Sequence, residues 1–227
     1  MQDIDKQILL FFNGSDYPFL DQWALSITSS WTWIALFLIL FFIVIKNNQK
    51  TTQRLLVVMG CVLCLLLSAG VLEWGVKPFF ARLRPSYEPT LAGVIDLING
   101  YQATGFSFFS GHSSNTMSLA VFLSLIVRHR HFTLTLVIWS LLNAWSRLYL
   151  GVHYPSDVAV GLLWGTFVGV TVYLIFIFFY MKTTPKLHFI STQYSRTGYS
   201  FLDINLVCSV FLLTLIYTVI KALILAS

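Results

Sequence analysis

Long apolar runs, interrupted only briefly by charge, dominate this chain and limit what it can become. Six stretches, 22–45, 55–76, 113–127, 132–150, 158–181 and 201–224, are almost free of ionisable groups apart from Glu73, Arg147, Asp203 and Lys221. About 20 apolar residues span a hydrocarbon core of ~30 Å, and there every backbone polar group must be satisfied inside a helix or a closed barrel. Charged residues make up 10% of the chain, against roughly 25% in soluble domains. The pattern predicts an all-α fold: a polytopic membrane bundle of about six transmembrane helices.

At 227 residues the chain suits one membrane-embedded domain, 1–227, without linker, repeat or low-complexity tract. Within it, 1–21 reads as an interfacial segment, 22–181 as the main bundle and 201–224 as an additional C-terminal helix. Residues 1–15 lack the basic leader of a cleavable signal peptide. The net charge of +5 is scattered between apolar runs rather than gathered in a stripe, which argues against a nucleic-acid partner. Cys61, Cys64 and Cys208 all fall inside apolar runs, so they form no disulfide framework, and the C-x-x-C reads as small residues in a membrane helix.

The loops 46–54, 128–131 and 182–200 carry eight of the fourteen Lys and Arg residues. By the positive-inside bias these loops are cytoplasmic, which turns both termini, the 77–112 loop and the 146–157 turn outward. Four of the remaining six bases, Lys77, Arg82, Arg84 and Arg147, oppose that bias. Retention for chemistry explains them better than topology does.

Three polar clusters fall on the outward side. Lys77 and Arg84-Pro85 end the second apolar run, Ser110-Gly111-His112 open the third, and Ser146-Arg147 is followed by His153 and Asp157. Each alone has a plainer explanation: snorkelling bases, a helix N-cap, an interfacial histidine. Together they supply cations, a helix N-terminus with a small residue for close anion approach, and two histidines, which suits phosphoryl transfer. If a helix begins at Pro155, Asp157 stands where it can accept the second ring N–H of His153.

Lys77 to Pro85, Ser110 to His112 and Ser146 to Asp157 resemble, in order and spacing, the three signature motifs of the type 2 phosphatidic acid phosphatase family. That family shares its site with vanadium haloperoxidases and acid phosphatases. The resemblance covers 81 residues, from Lys77 to Asp157. It implies that His153 is the nucleophile that forms a phosphohistidine, that Asp157 orients it, and that His112 is the general acid. Lys77, Arg84, Arg147, Ser110 and the N–H of Gly111 would hold the phosphate, with neither metal nor cofactor. Phe109 stands where the family's second motif usually has proline, which bears on substrate fit. Arg82 is a secondary candidate, as ligand to a second phosphate. Glu73 reads as a partner for Lys77. Residues 86–109, rich in aromatics, read as a lid or an aromatic belt.

The expected function is therefore an integral phosphatase of the bacterial cytoplasmic membrane, its site on the extracytoplasmic side, its partners the bilayer and a lipid phosphate. By the resemblance undecaprenyl diphosphate is the leading substrate, with Arg82 as a further cation adding slightly to the case for a diphosphate; phosphatidic acid, phosphatidylglycerol phosphate and a phosphorylated lipid A compete with it. Two other classes stay open, a vanadate-dependent haloperoxidase and a non-catalytic lipid transporter.

Overall fold

The structure, a computed structural model, describes residues 2–183 and 192–227. Lys186, one of the three bases counted in the loop 182–200, lies outside the described residues. Nine α-helices are present among the described residues: α1 (Gln2–Phe12), α2 (Pro18–Thr28), α3 (Ile34–Asn47), α4 (Thr51–Leu65), α5 (Lys77–Phe80), α6 (Gly111–Val127), α7 (Arg130–Tyr149), α8 (Pro155–Thr183) and α9 (Phe201–Ala226). Four segments, Ser30–Asn47, Thr51–Leu91, Pro155–Lys182 and Phe201–Ala226, are long and apolar enough to cross a membrane. Between them run α6, 17 residues long, and α7, 20 residues long.

Two of the expected spans depart from a continuous α-helix. The run 22–45 divides at Ser29, whose backbone is extended. The freed carbonyls find side chains instead: Thr32 Oγ1 donates to Ser26 O, and Trp33 Nε1 to Ile27 O at 2.9 Å. A break inside lipid is tolerated when neighbouring groups re-satisfy the backbone in this way. Past Leu65, the run 55–76 widens into two π-helical turns, Leu66–Gly70 and Leu72–Val76, before α5. Such wide turns tend to sit beside functional sites.

In lipid, apolar surface gains little by leaving one hydrocarbon for another, so helices associate through close packing and hydrogen bonds. On α8, Gly161, Gly165 and Gly169 recur every fourth residue and press on the backbone carbonyls of Ser110, Ser114 and Ser118 in α6; a Cβ at Gly165 would lie 2.4 Å from Ser114 O. Gly60 of α4 packs on a side chain instead: a Cβ there would fall 2.1 Å from the tip of the Phe122 ring, which would have to shift. Around these contacts a core of Trp33, Phe122, Phe132, Leu136 and Trp139 is fully or almost fully buried.

The three basic loops meet at one end of the bundle. Asn48 Nδ2 donates to Tyr199 OH, Lys46 and Asn47 reach Asp203, and Thr197 Oγ1 donates to Val127 O. At the other end lie the start of α6, the end of α7 and the start of α8, with α1 against the latter two.

Candidate active site

At that second end, α8 begins at Pro155, as the motif spacing predicts. Asp157, in its first turn, reaches back to accept the N–H of Tyr154 at 3.0 Å, half of a capping box. This fixes its carboxylate beside the preceding loop, where His153 Nδ1 is 3.5 Å from Asp157 Oδ2. The Ser107 hydroxyl donates to the same oxygen and lies 3.4 Å from Nδ1.

The other ring nitrogen, His153 Nε2, faces Arg84 Nη1 at 3.2 Å. The rest of the Arg84 guanidinium is fixed by carbonyls: Nε by Thr104 and Gly105, Nη2 by Thr104, and Nη1 also by Val152 at 3.0 Å. Arg147, in the last turn of α7, donates from Nη1 to Thr28 and to Tyr101 OH at 3.1 Å, while its buried Nε has no protein partner. Arg84, Arg147, His153 and Asp157 are each at most 4% exposed. Burying charge in this way costs several kcal/mol per ion unless something compensates, so the cations are held for use.

Lys77 is buried as well and pairs with Glu73, one turn earlier and half-exposed. Ser110 caps α6: its N–H donates to Asp157 O at 3.0 Å, and its hydroxyl accepts from Ser113 Oγ at 3.0 Å. His112, in the first turn of α6, is within electrostatic reach of Arg147, His153, Arg84 and Lys77. The three clusters therefore converge: the α6 N-terminus, two buried arginines, Lys77 and two histidines surround one region. Burial pushes His153 down to about 4; Asp157 opposes the shift, and Arg147 and Arg84 add to it. The imidazole is neutral at physiological pH, the form in which one ring nitrogen keeps a free lone pair.

Arg82 takes a different place from the one its sequence position suggests. Its guanidinium bridges Asp157 Oδ1 and Asp5 Oδ2, both at 2.7 Å, donates to Ser156 Oγ at 2.8 Å and stacks 3.9 Å over the Tyr154 ring. Its known partners are thus the rear of the histidine–aspartate pair rather than a second phosphate. Phe109, where proline is usual, is buried between Phe108 and Trp164, with ring centroids at 5.9 and 6.1 Å. Residues 86–109 do more than cover the site: Thr104 and Gly105 hold Arg84, and Tyr101 holds Arg147.

Sequence reasoning missed Ser107, Thr28, Tyr101 and Asp5. None carries a spacing signal, because each reaches the site through a loop or a helix break. Among the described residues no group of three or more His, Cys, Asp or Glu side chains is placed to hold a metal ion.

Such an arrangement, a histidine–aspartate pair ringed by buried cations at one end of a membrane helix bundle, defines a phosphate-handling membrane enzyme. The PAP2 superfamily model matches residues 57–181. Over 176 residues the chain is 35% identical to a lipid A 4'-phosphatase of Bacteroides thetaiotaomicron, covering 77% of this chain and 78% of that one. A lipid A 4'-phosphatase of Porphyromonas gingivalis is 36% identical over 180 residues, 78% of this chain and 74% of its own. The crystal structure of Aquifex aeolicus LpxE superposes with a TM-score of 0.57 at 25% identity, over 73% of this chain and 92% of that one. The chain belongs to the PAP2 superfamily. It is a multi-pass membrane lipid phosphate phosphatase.

Proposed function

We propose that this enzyme removes a phosphomonoester from an acylated lipid of the lipid A type, through a phosphohistidine on His153, on the extracytoplasmic side of the bacterial cytoplasmic membrane. His153 Nε2 attacks phosphorus and the phosphorus–oxygen bond to the lipid breaks. Burial and the surrounding cations hold His112 down to about 3 in the free enzyme. It takes up a proton as the bound phosphate's negative charge offsets those cations, and it gives that proton to the departing oxygen, while Asp157 holds the Nδ1–H and balances the charge. Water then attacks the phosphohistidine; His112 takes a proton from it, the nitrogen–phosphorus bond breaks, and inorganic phosphate leaves. Arg84, Arg147, Lys77, Ser110 and the Gly111 N–H hold the phosphoryl oxygens, donors aimed where charge develops.

The observation that carries this reading is the pairing of His153 on both sides, Asp157 at Nδ1 and Arg84 at Nε2. Support for lipid A over undecaprenyl diphosphate is twofold: the two relatives described above are lipid A 4'-phosphatases, and Arg82, the reason to expect a diphosphate, is engaged with Asp5, Ser156 and Asp157. The outward side is supported by the basic loops gathered at the opposite end. The test is phosphate release by detergent-purified protein from lipid A, phosphatidic acid, phosphatidylglycerol phosphate and undecaprenyl diphosphate, with excess chelator present. Fastest release from lipid A, indifferent to chelator, is expected; activity abolished by the chelator would overturn the histidine mechanism.

A further inference from the structure

Glu73 stands at the half-exposed edge of the phosphate region. It lies in the second π-helical turn, and its carboxylate accepts from the Lys77 ammonium. The two partners differ in setting: the Lys77 side chain is 9% exposed, that of Glu73 54%. Glu73 is also within electrostatic reach of Arg84. Its negative charge therefore acts on two of the three cations proposed to hold the phosphate.

An ammonium has three donors, and Glu73 occupies one of them, so Lys77 can hold the carboxylate and a phosphoryl oxygen together. Glu73 can stay in place when substrate binds, and it then counts in the charge of the loaded site. Lys77, Arg84 and Arg147 taken with Glu73 leave a net charge of +2. A phosphate monoester brings about −1.5 to −2 at neutral pH, which these four groups match. A diphosphate brings about one negative charge more. Two cations close by in the fold are engaged elsewhere: Arg82 with Asp5, Ser156 and Asp157, and Lys6 with Thr90 and Glu88.

We propose that Glu73 is a specificity-determining residue: its carboxylate sets the charge of the site to a single phosphate group and turns away a lipid that carries a second phosphate on the first. This rests on the reading of the protein as a lipid phosphatase with Lys77 as a phosphate ligand, and deepens it. The substrate class is phosphomonoesters, separated from diphosphates by repulsion as well as by attraction. A purely structural role, covering the charge of buried Lys77, would leave the choice between the two headgroups untouched.

The test uses the full chain in detergent with dioleoyl phosphatidic acid and dioleoylglycerol diphosphate, two lipids alike but for one phosphate. Inorganic phosphate and pyrophosphate serve as competing anions. Phosphate should inhibit the parent enzyme more strongly than pyrophosphate. Glu73→Gln, equal in size but uncharged, should raise the diphosphate-to-monophosphate ratio of kcat/KM about tenfold, the effect of one partly solvated unit charge. Inhibition should shift toward pyrophosphate in the same variant, while Glu73→Asp should keep the parental ratio. An unchanged ratio in Glu73→Gln, with both lipids losing alike, overturns the proposal. So does a ratio that moves as far in Glu73→Asp. Stronger inhibition of the parent by pyrophosphate overturns it even if Glu73→Gln fails to fold. A parent that releases phosphate from neither of these lipids nor from lipid A sinks the lipid phosphatase reading itself, a distinct outcome.

Discussion

Arg84 Nη1 stands 3.2 Å from His153 Nε2. A guanidinium has donors only, so Nε2 must be the acceptor and the ring proton must sit on Nδ1, toward Asp157. The lone pair that the proposed mechanism uses for attack is therefore already on the atom that faces Arg84. Asp157 keeps it there through the Nδ1 hydrogen.

Asp157→Asn leaves the volume unchanged but removes the charge that stabilises the imidazolium and can favour the wrong tautomer. In the analogous serine-hydrolase arrangement such a change costs about 10⁴ in turnover. A loss of kcat of about three orders of magnitude or more is expected, with KM little altered. Steady-state kinetics on purified variant and parent decide it.

On the proposed mechanism Arg82, which contacts both Asp5 and Asp157, acts through Asp157 rather than on substrate, and Asp5 acts through Arg82. Arg82→Gln and Asp5→Asn should each lower kcat about 10- to 100-fold, the usual range for groups that orient a reacting side chain, and leave KM nearly unchanged. If Arg82 instead held a second phosphate, its loss would raise KM for a diphosphate substrate alone.

The acid limb of the rate profile should lie low. His153 is depressed by burial to about 4 from the ordinary value near 6.5. The neutral, attacking form therefore persists as pH falls through 6.5 and is lost only on approaching 4. In a profile of kcat/KM against pH, which reports the free enzyme, an inflection for the nucleophile near 6.5 would contradict the buried site.

Gly165→Leu should separate α8 from α6. Even the first added carbon would fall 2.4 Å from Ser114 O, a backbone atom that cannot swing aside. The cost is about 1–3 kcal/mol or more, seen as a lower Tm in detergent. Activity should fall with it, because the Ser110 N–H bond to Asp157 O crosses the same helix pair.

Helical class and the convergence of three polar clusters were legible because apolar length and helix-end chemistry are local properties. Pro155 marks the start of α8, and this sets Asp157, four residues after His153, in its first turn. What was not legible depends on where loops go. Arg82 looked like a spare cation until α1 brought Asp5 to it. Thr28 has no motif, and only the break at Ser29 carries it to Arg147. The steps of four between Gly161, Gly165 and Gly169 were readable as a close-packing face, but among so many apolar residues the charged groups drew the reading first.

The matched region, 57–181, ends before α9 begins, and it starts after Thr28. Yet α9 packs along α2 and α3, and Trp23 of α2 hydrogen-bonds Thr218 of α9 at 3.1 Å. The helix without any signature thus acts as a buttress: it braces the bent opening segment whose hydroxyl steadies Arg147. Selection on catalysis can therefore reach residues that never approach a phosphate, through the stiffness of the wall behind them.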